Sequence, residues 1–242
     1  MHFDDRPIGQ VLSRRQVLAL LGAGTVSLLT GASPAWAQGT PGSAGCVVRP
    51  AQTEGPYVVD ERLQRSDLRT DPTDGRVRLG IPLELTLVIS RLAGTACAPL
   101  AGAQVDVWHG DHLGVYADVT DPRFTTTGTP CLRGSQRTDA QGQVRFTTID
   151  PGGYEGRTVH IHVKVRSPSG PRPGDEFTSQ LYVDDGLTDR VSQQPPYAGR
   201  TPRTTRHSTD GIDRHGGAQL MRALAPQGAP YQGSFQVALT GA

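Results

Sequence analysis

Thr158-Val159-His160-Ile161-His162-Val163-Lys164-Val165 decides the fold. Its apolar residues fall at every second position, the period that sends successive side chains to opposite faces of a β-strand. Val159, Ile161, Val163 and Val165 therefore face a core, and His160, His162 and Lys164 share the other face. Working outward, the same alternation runs through Leu83–Ile89, Ala103–Trp108, Val144–Ile149, Phe177–Val183 and Ser234–Leu239. Turn clusters such as Asp139-Ala140-Gln141-Gly142 and Asp150-Pro151-Gly152-Gly153 separate these segments. With 30 Gly and 19 Pro in 242 residues, long helices are excluded, and only Gly217–Leu224 reads as a short helix. Many short strands joined by Gly/Pro turns predict an all-β chain folded as a β-sandwich with long loops.

The flanks carry a different signal. Ser13-Arg14-Arg15 precedes an apolar run from Val17 to about Ala32 that Gly22, Gly24 and Gly31 interrupt. Ala35-Trp36-Ala37 then offers a small-x-small cleavage pattern. Residues 1–37 read as an export signal of twin-arginine type, with Gln38 as the mature start and the periplasm or exterior as destination. Residues 38–80 read as a tether and N-terminal arm laid over a sandwich spanning 81–242. No later segment is apolar enough for a membrane span. The chain holds 24 Lys+Arg against 23 Asp+Glu, and removing 1–37 leaves the charges balanced. That balance provides no electrostatic footprint for nucleic acid. The Arg-rich stretch Arg200–Arg214 reads as a solvated loop or a partner surface. Three cysteines are too few for a disulfide scaffold. Of the single bridges they allow, Cys97–Cys131, flanking the Tyr116 segment, is the favoured pairing.

The chemistry concentrates around His160-x-His162. Imidazoles two residues apart on one strand face stand about 6–7 Å apart at Cα and can converge on one metal ion. Two histidines on a half-exposed strand would show the same pattern. Tyr154 lies beside the Pro151-Gly152-Gly153 turn, which can bend its phenol back over that face, with Arg157 between the two. Tyr116 follows the strand ending at Trp108. His109 and His112 read as rim or solvent-facing residues rather than further ligands.

The chain at this point resembles the intradiol ring-cleavage dioxygenases, in particular their exported single-chain branch, similar to the protocatechuate and catechol enzymes. The residues that carry the resemblance are Gln52-Thr53-Glu54-Gly55-Pro56-Tyr57, Val105-Asp106-Val107-Trp108-His109, Gly114-Val115-Tyr116, Leu132-Arg133-Gly134-Ser135-Gln136, Pro151 through Arg157 into His160-Ile161-His162, and Ser179-Gln180-Leu181-Tyr182. The resemblance implies a prealbumin-like sandwich holding one Fe(3+) per chain on Tyr116, Tyr154, His160 and His162. It implies Arg157 and Tyr57 on the substrate side and Gln180 behind them, with Tyr154, Arg157 and Gln180 serving catalysis. The partners it implies are a small aromatic diol and O2, with a muconate-type diacid as product, and it is compatible with a homo-oligomer. The donor types make chemical sense, because hard phenolate oxygens favour ferric over ferrous iron and imidazoles suit both. Gly153 stands where that branch often has Trp, and Gly110 where it often has Cys. The rival reading is a non-catalytic prealbumin-like adhesion or carrier module, which shares the turns but has no need of Tyr116, Arg157 or His160-x-His162.

Overall fold

The computed structural model describes residues 46–60, 63–169, 175–199, 205–217, 223–225 and 230–240. The signal-like segment 1–37 and the tether that follows lie outside them. Among the described residues, eleven strands run in chain order: β1 Pro82–Ala93, β2 Ala96–Pro99, β3 Gln104–Trp108, β4 Thr120–Asp121, β5 Phe124–Thr125, β6 Arg133–Arg137, β7 Gln143–Ile149, β8 His160–Arg166, β9 Glu176–Tyr182, β10 Ala223–Ala225 and β11 Tyr231–Thr240. One sheet has the order β10-β11-β1-β2, with β7 also paired to β1, and the other has the order β6-β3-β8-β9. β1 pairs in parallel with β11 and antiparallel with β7 and β2. β4 and β5 form a small separate ribbon.

The core lies between the two sheets. β1 contributes Leu83, Leu85, Leu87 and Ile89, β7 Val144 and Phe146, and β11 Phe235, Val237 and Leu239. Val105 and Val107 of β3, Ile161, Val163 and Val165 of β8, and Phe177 and Leu181 of β9 meet them from the second sheet. Burying each such side chain is worth roughly 1.5–3 kcal/mol. The sequence expectation of a β-sandwich therefore holds, and the odd residues of β8 point where the alternation places them.

The arm crosses both sheets. Ala238 N–H donates to Val47, Gln52 N–H to Thr178, and Leu68 N–H to Thr147. Leu68 is fully buried in the main core. Between these ties, Gly55 lies against the His162 ring and Glu54 pairs with Lys164, so this part of the arm covers the outer face of the β6-β3-β8-β9 sheet, the face that carries His160 and His162.

Two expectations are corrected. The helix is Asp185–Ser192 (α1), with Asp184 as N-cap accepting from the Leu187 N–H at 2.9 Å. Leu187 and Val191, one helical turn apart, pack with Val159, Val183 and Tyr197. Of the segment expected to be helical, residues 218–222 lie outside the described residues, and Ala223–Ala225 is strand β10. The disulfide joins Cys46 to Cys97, with Cα atoms 5.4 Å apart, and not Cys97 to Cys131. Cys97 sits on β2 at the sheet edge where the arm begins, whereas Cys131 is buried with Ala117, Leu132 and Ile149. The Cys131 Sγ accepts from Arg78 Nε at 2.8 Å. Among the described residues, no helix is long and apolar enough to cross a membrane.

Candidate metal centre

Strand register builds the floor of the site. His162 stands opposite Trp108 of β3 and Gln180 of β9, and His160 stands opposite Tyr182. These side chains share the outer face of the sheet. The Trp108 and His162 rings stack at 4.9 Å and 6°. His160 presents Nδ1 to the Thr158 carbonyl at 2.7 Å. That contact requires the proton on Nδ1 and leaves Nε2 as a bare lone pair.

Two loops bring the phenols. Asp111 Oδ1 accepts from the N–H groups of Leu113 and Val115, at 2.8 and 3.0 Å, and fixes the turn that delivers Tyr116. The Asp111 carbonyl also accepts from Gly152 N–H at 2.8 Å. The Tyr116 loop is thereby tied to the Pro151-Gly152-Gly153 turn, which delivers Tyr154.

The result is a triangle of donor atoms. Tyr116 Oη, His160 Nε2 and His162 Nε2 lie 3.1 Å from one another. The centre of such a triangle is about 1.8 Å from each corner, so an ion a little above it lies within the usual ~2.0–2.1 Å metal–imidazole distance. Tyr154 covers the triangle, its ring 5.9 Å from that of Tyr116 and 5.7 Å from that of His160. Arg157 and Tyr116 lie close enough to its phenol to oppose the rise in pKa that burial causes. The Tyr116 hydroxyl has a single proton to offer the two imidazole Nε2 atoms, and the buried His162 Nδ1 has no hydrogen-bond partner among the described residues. A cation satisfies what the protein's own hydrogens do not. All four residues that the sequence proposed as ligands are brought together.

Electrostatics agree with that use. Burial holds both imidazoles well below their usual pKa, with His160 and Arg157 adding to the effect at His162, so each is neutral, the form that binds metal. Burial raises both phenols, Tyr116 well above the ordinary range, and Arg157 opposes the rise at each. Without a cation these phenols keep their protons; a bound cation displaces them.

Arg157 and Gln180 lie beside Tyr154. The Arg157 guanidinium donates from Nη2 to Gln180 Oε1, and from Nε to Asp210 Oδ2 at 3.0 Å. Gln180 Nε2 donates to the Thr53 carbonyl at 3.1 Å, and its Oε1 also accepts from Tyr182 Oη at 3.1 Å. Burial disfavours the Arg157 charge, but Tyr154 and Asp210 more than offset it. Tyr57 stacks on Tyr116 at 4.6 Å and donates to Asp121 Oδ2 at 2.6 Å. Burial and this bond push the Tyr57 pKa up to about 12. Tyr116, His160 and His162 are buried while Tyr57 and Tyr154 are half-exposed, so the site opens on the Tyr57–Tyr154 side.

Other sequence expectations fare differently. His109 is fully buried between Thr148 Oγ1 and the Gly110 carbonyl, both at 2.7 Å, and faces neither rim nor solvent. His112 is half-buried, edge-on to Tyr197. Arg133 points its guanidinium at the carbonyls of Ala117 and Tyr57 and holds backbone. The described part of Arg200–Arg214 is no solvated loop, because Thr205 and Asp210 are buried against the turn that bears Arg157. The sequence singled out neither Trp108 nor Asp210 as a functional residue. Trp108 was within reach, since it pairs in alternation with the His162 face. Asp210 was not, because its contact with Arg157 spans 53 residues.

A family model described as Dioxygenase matches residues 53–191, more than half of the chain. The chain belongs to the intradiol ring-cleavage dioxygenase family. It is 35% identical over 135 residues to catechol 1,2-dioxygenase 2 of Acinetobacter lwoffii, covering 46% of each chain. It is 31% identical over 153 residues to the protocatechuate 3,4-dioxygenase beta chain of Burkholderia cepacia, covering 58% of this chain and 63% of that one. The chain thus spans about half to two thirds of the length of these two curated relatives. Among solved structures, an intradiol ring-cleavage dioxygenase from Tetranychus urticae superposes with TM-score 0.68 at 26% identity, covering 81% of this chain and 95% of that one. The dioxygenase domain of a carbohydrate-binding fusion from Streptomyces sp. SirexAA-E superposes with TM-score 0.55 at 31% identity, covering 81% and 99%.

Proposed function

We propose that the protein is an exported ferric dioxygenase that opens a catechol-type ring between its two hydroxylated carbons. Both atoms of O2 enter the product, a muconate-type diacid, so the reaction needs no external reductant. The observation that carries this reading is the triangle of Tyr116, His160 and His162 with Tyr154 above it and Arg157 alongside. Two phenols with two neutral imidazoles form a donor set suited to Fe(3+), whereas structural zinc sites are built mainly from cysteine and histidine. Bound there, ferric iron would supply a Lewis acid that holds the diol as its dianion. A binding module would have no use for a buried phenol and two neutral imidazoles converging on one point.

The chain's own residues divide the work. Tyr116, His160 and His162 form the buried side of the site, and Trp108 fixes the His162 ring. Tyr154, on the open side, can take a proton from the incoming diol. Arg157 places a fixed cation where negative charge develops on the ring, a preorganised electrostatic role. Tyr57 lines the mouth. Arg133, engaged with backbone carbonyls, does not serve a substrate carboxylate. Export is supported by the Ser13-Arg14-Arg15 segment and is consistent with the Cys46–Cys97 disulfide.

The test is direct. Purified protein should carry about one iron per chain, show a red-brown tyrosinate-to-ferric absorption, and consume O2 with catechol. Tyr116→Phe and His162→Ala should each lose the iron or the colour. Colourless, iron-replete protein, or full activity in both variants, would remove the assignment. Terminal sequencing of secreted protein starting at Gln38 tests export.

A further inference from the structure

We propose that Asp210 is the positioning residue for Arg157, an inference that rests on the dioxygenase reading of the site. Its carboxylate has no exposed surface and is held on both sides. Oδ1 accepts from the N–H groups of Ile212 and Asp213, at 2.8 and 3.0 Å. Oδ2 accepts from Thr158 N–H at 2.8 Å and from Arg157 Nε at 3.0 Å. The carboxylate therefore cannot rotate without breaking backbone hydrogen bonds, and it fixes the guanidinium from one edge. Gln180 Oε1 fixes it from another through Nη2. Gln180 is itself held by Thr53 and Tyr182, so both anchors are immobile and Arg157 has one orientation, beside Tyr154. A flexible arginine would be just as charged; Asp210 supplies its direction.

Asp210 is a demanding choice for a purely structural group. A buried carboxylate is costly unless fully hydrogen-bonded, and a turn closing on Ile212 and Asp213 needs only one acceptor oxygen. The second oxygen is spent on Arg157 and on the Thr158 peptide, two residues before His160. Asp210 touches neither substrate nor donor triangle, so its effect must pass through Arg157.

The experiment is a double-mutant cycle on the iron-loaded full-length protein, with Asp210→Asn, Arg157→Ala and the pair. Readouts are kcat and KM from O2 uptake on catechol, iron per chain, and the visible band on anaerobic catechol titration. Asp210→Asn should lower kcat roughly 10- to 100-fold, the usual cost of misplacing a charge by an ångström or less. Iron content and the resting band should be retained. In the Arg157→Ala background the same change should alter kcat by less than about twofold, the mark of residues acting as one unit. Equal losses in both backgrounds, or wild-type kcat in Asp210→Asn, would overturn the proposal. If Asp210→Asn does not fold, Arg157→Lys decides: it keeps the charge but cannot reach Asp210 and Gln180 together, so unaltered kcat there overturns the proposal too. Wild-type protein without O2 uptake or bound iron would instead sink the dioxygenase reading, which separates the two failures.

Discussion

Gly114→Ala offers a way to move Tyr154 without touching it. Gly114 has φ +76°, and a Cβ built there lies 2.6 Å from the Gly153 carbonyl oxygen, 2.9 Å from its carbon and 3.2 Å from Tyr154 Cβ. The first cost is conformational, about 1–2 kcal/mol for an L-residue in the left-handed region. The second is steric: the obstacle is backbone, so an ordinary carbon–oxygen contact of about 3.3 Å needs a shift of about 0.7 Å in the peptide next to Tyr154. Overpacking of this kind adds about 1–3 kcal/mol. Gly128→Ala isolates the first cost, because Gly128 has φ +85° and open space around it. Thermal unfolding should therefore place Gly114→Ala about 1–3 kcal/mol below Gly128→Ala, at roughly 2–4 °C per kcal/mol for a chain of this size. O2 uptake should fall roughly tenfold or more in Gly114→Ala and stay level in Gly128→Ala. Equal melting temperatures with undiminished activity would refute the argument that the Gly114–Gly153 contact sets the position of Tyr154.

Other outcomes follow from the same geometry. The Cys46–Cys97 bridge closes a loop with a sequence separation of 51, for which chain entropy predicts about 4 kcal/mol; Cys46→Ser should lower urea stability by about 2–4 kcal/mol, and thiol titration of denatured, unreduced protein should find Cys131 alone. His207 gives Nδ1 to Asp213 at 2.9 Å and Nε2 to the Val183 carbonyl at 2.6 Å. Both nitrogens donate when the ring is charged, and the Asp213 bond, working against partial burial, raises its pKa. A raised folded pKa stabilises fully below the unfolded value and is lost as pH rises through the folded one. The stability gap between wild type and His207→Gln should thus narrow as the pH rises above the ordinary histidine pKa of about 6.5, and a gap that widens would contradict the pairing.

Much of this architecture was legible because strand periodicity is a local property. Ile161, Val163 and Val165 announce a buried face, and that fixes His160 and His162 on the other without knowledge of their neighbours. The Pro151-Gly152-Gly153 turn announces a reversal just before Tyr154. What stayed hidden depends on contacts made across the chain. Asp210 sits in an Arg-rich stretch that reads as solvated, and only the folded chain lays it against Arg157. His109 looks polar in sequence, yet Thr148 on β7 gives it a buried partner. The Cys46–Cys97 pairing depends on where the arm starts along β1, which no spacing rule encodes. Helix α1 was missed because eight residues with two apolar contacts form too weak a pattern.

Strand β8 has a consequence for fidelity. Its odd residues are committed to the interior and its first two even ones, His160 and His162, to the donor set, so slipping its pairing by a single position would exchange the two sets at once. Valines would then crowd the pocket while imidazoles were forced into oil. No partly correct version of this strand exists, and a chain that can gather its donors has thereby passed inspection of its hydrophobic interior.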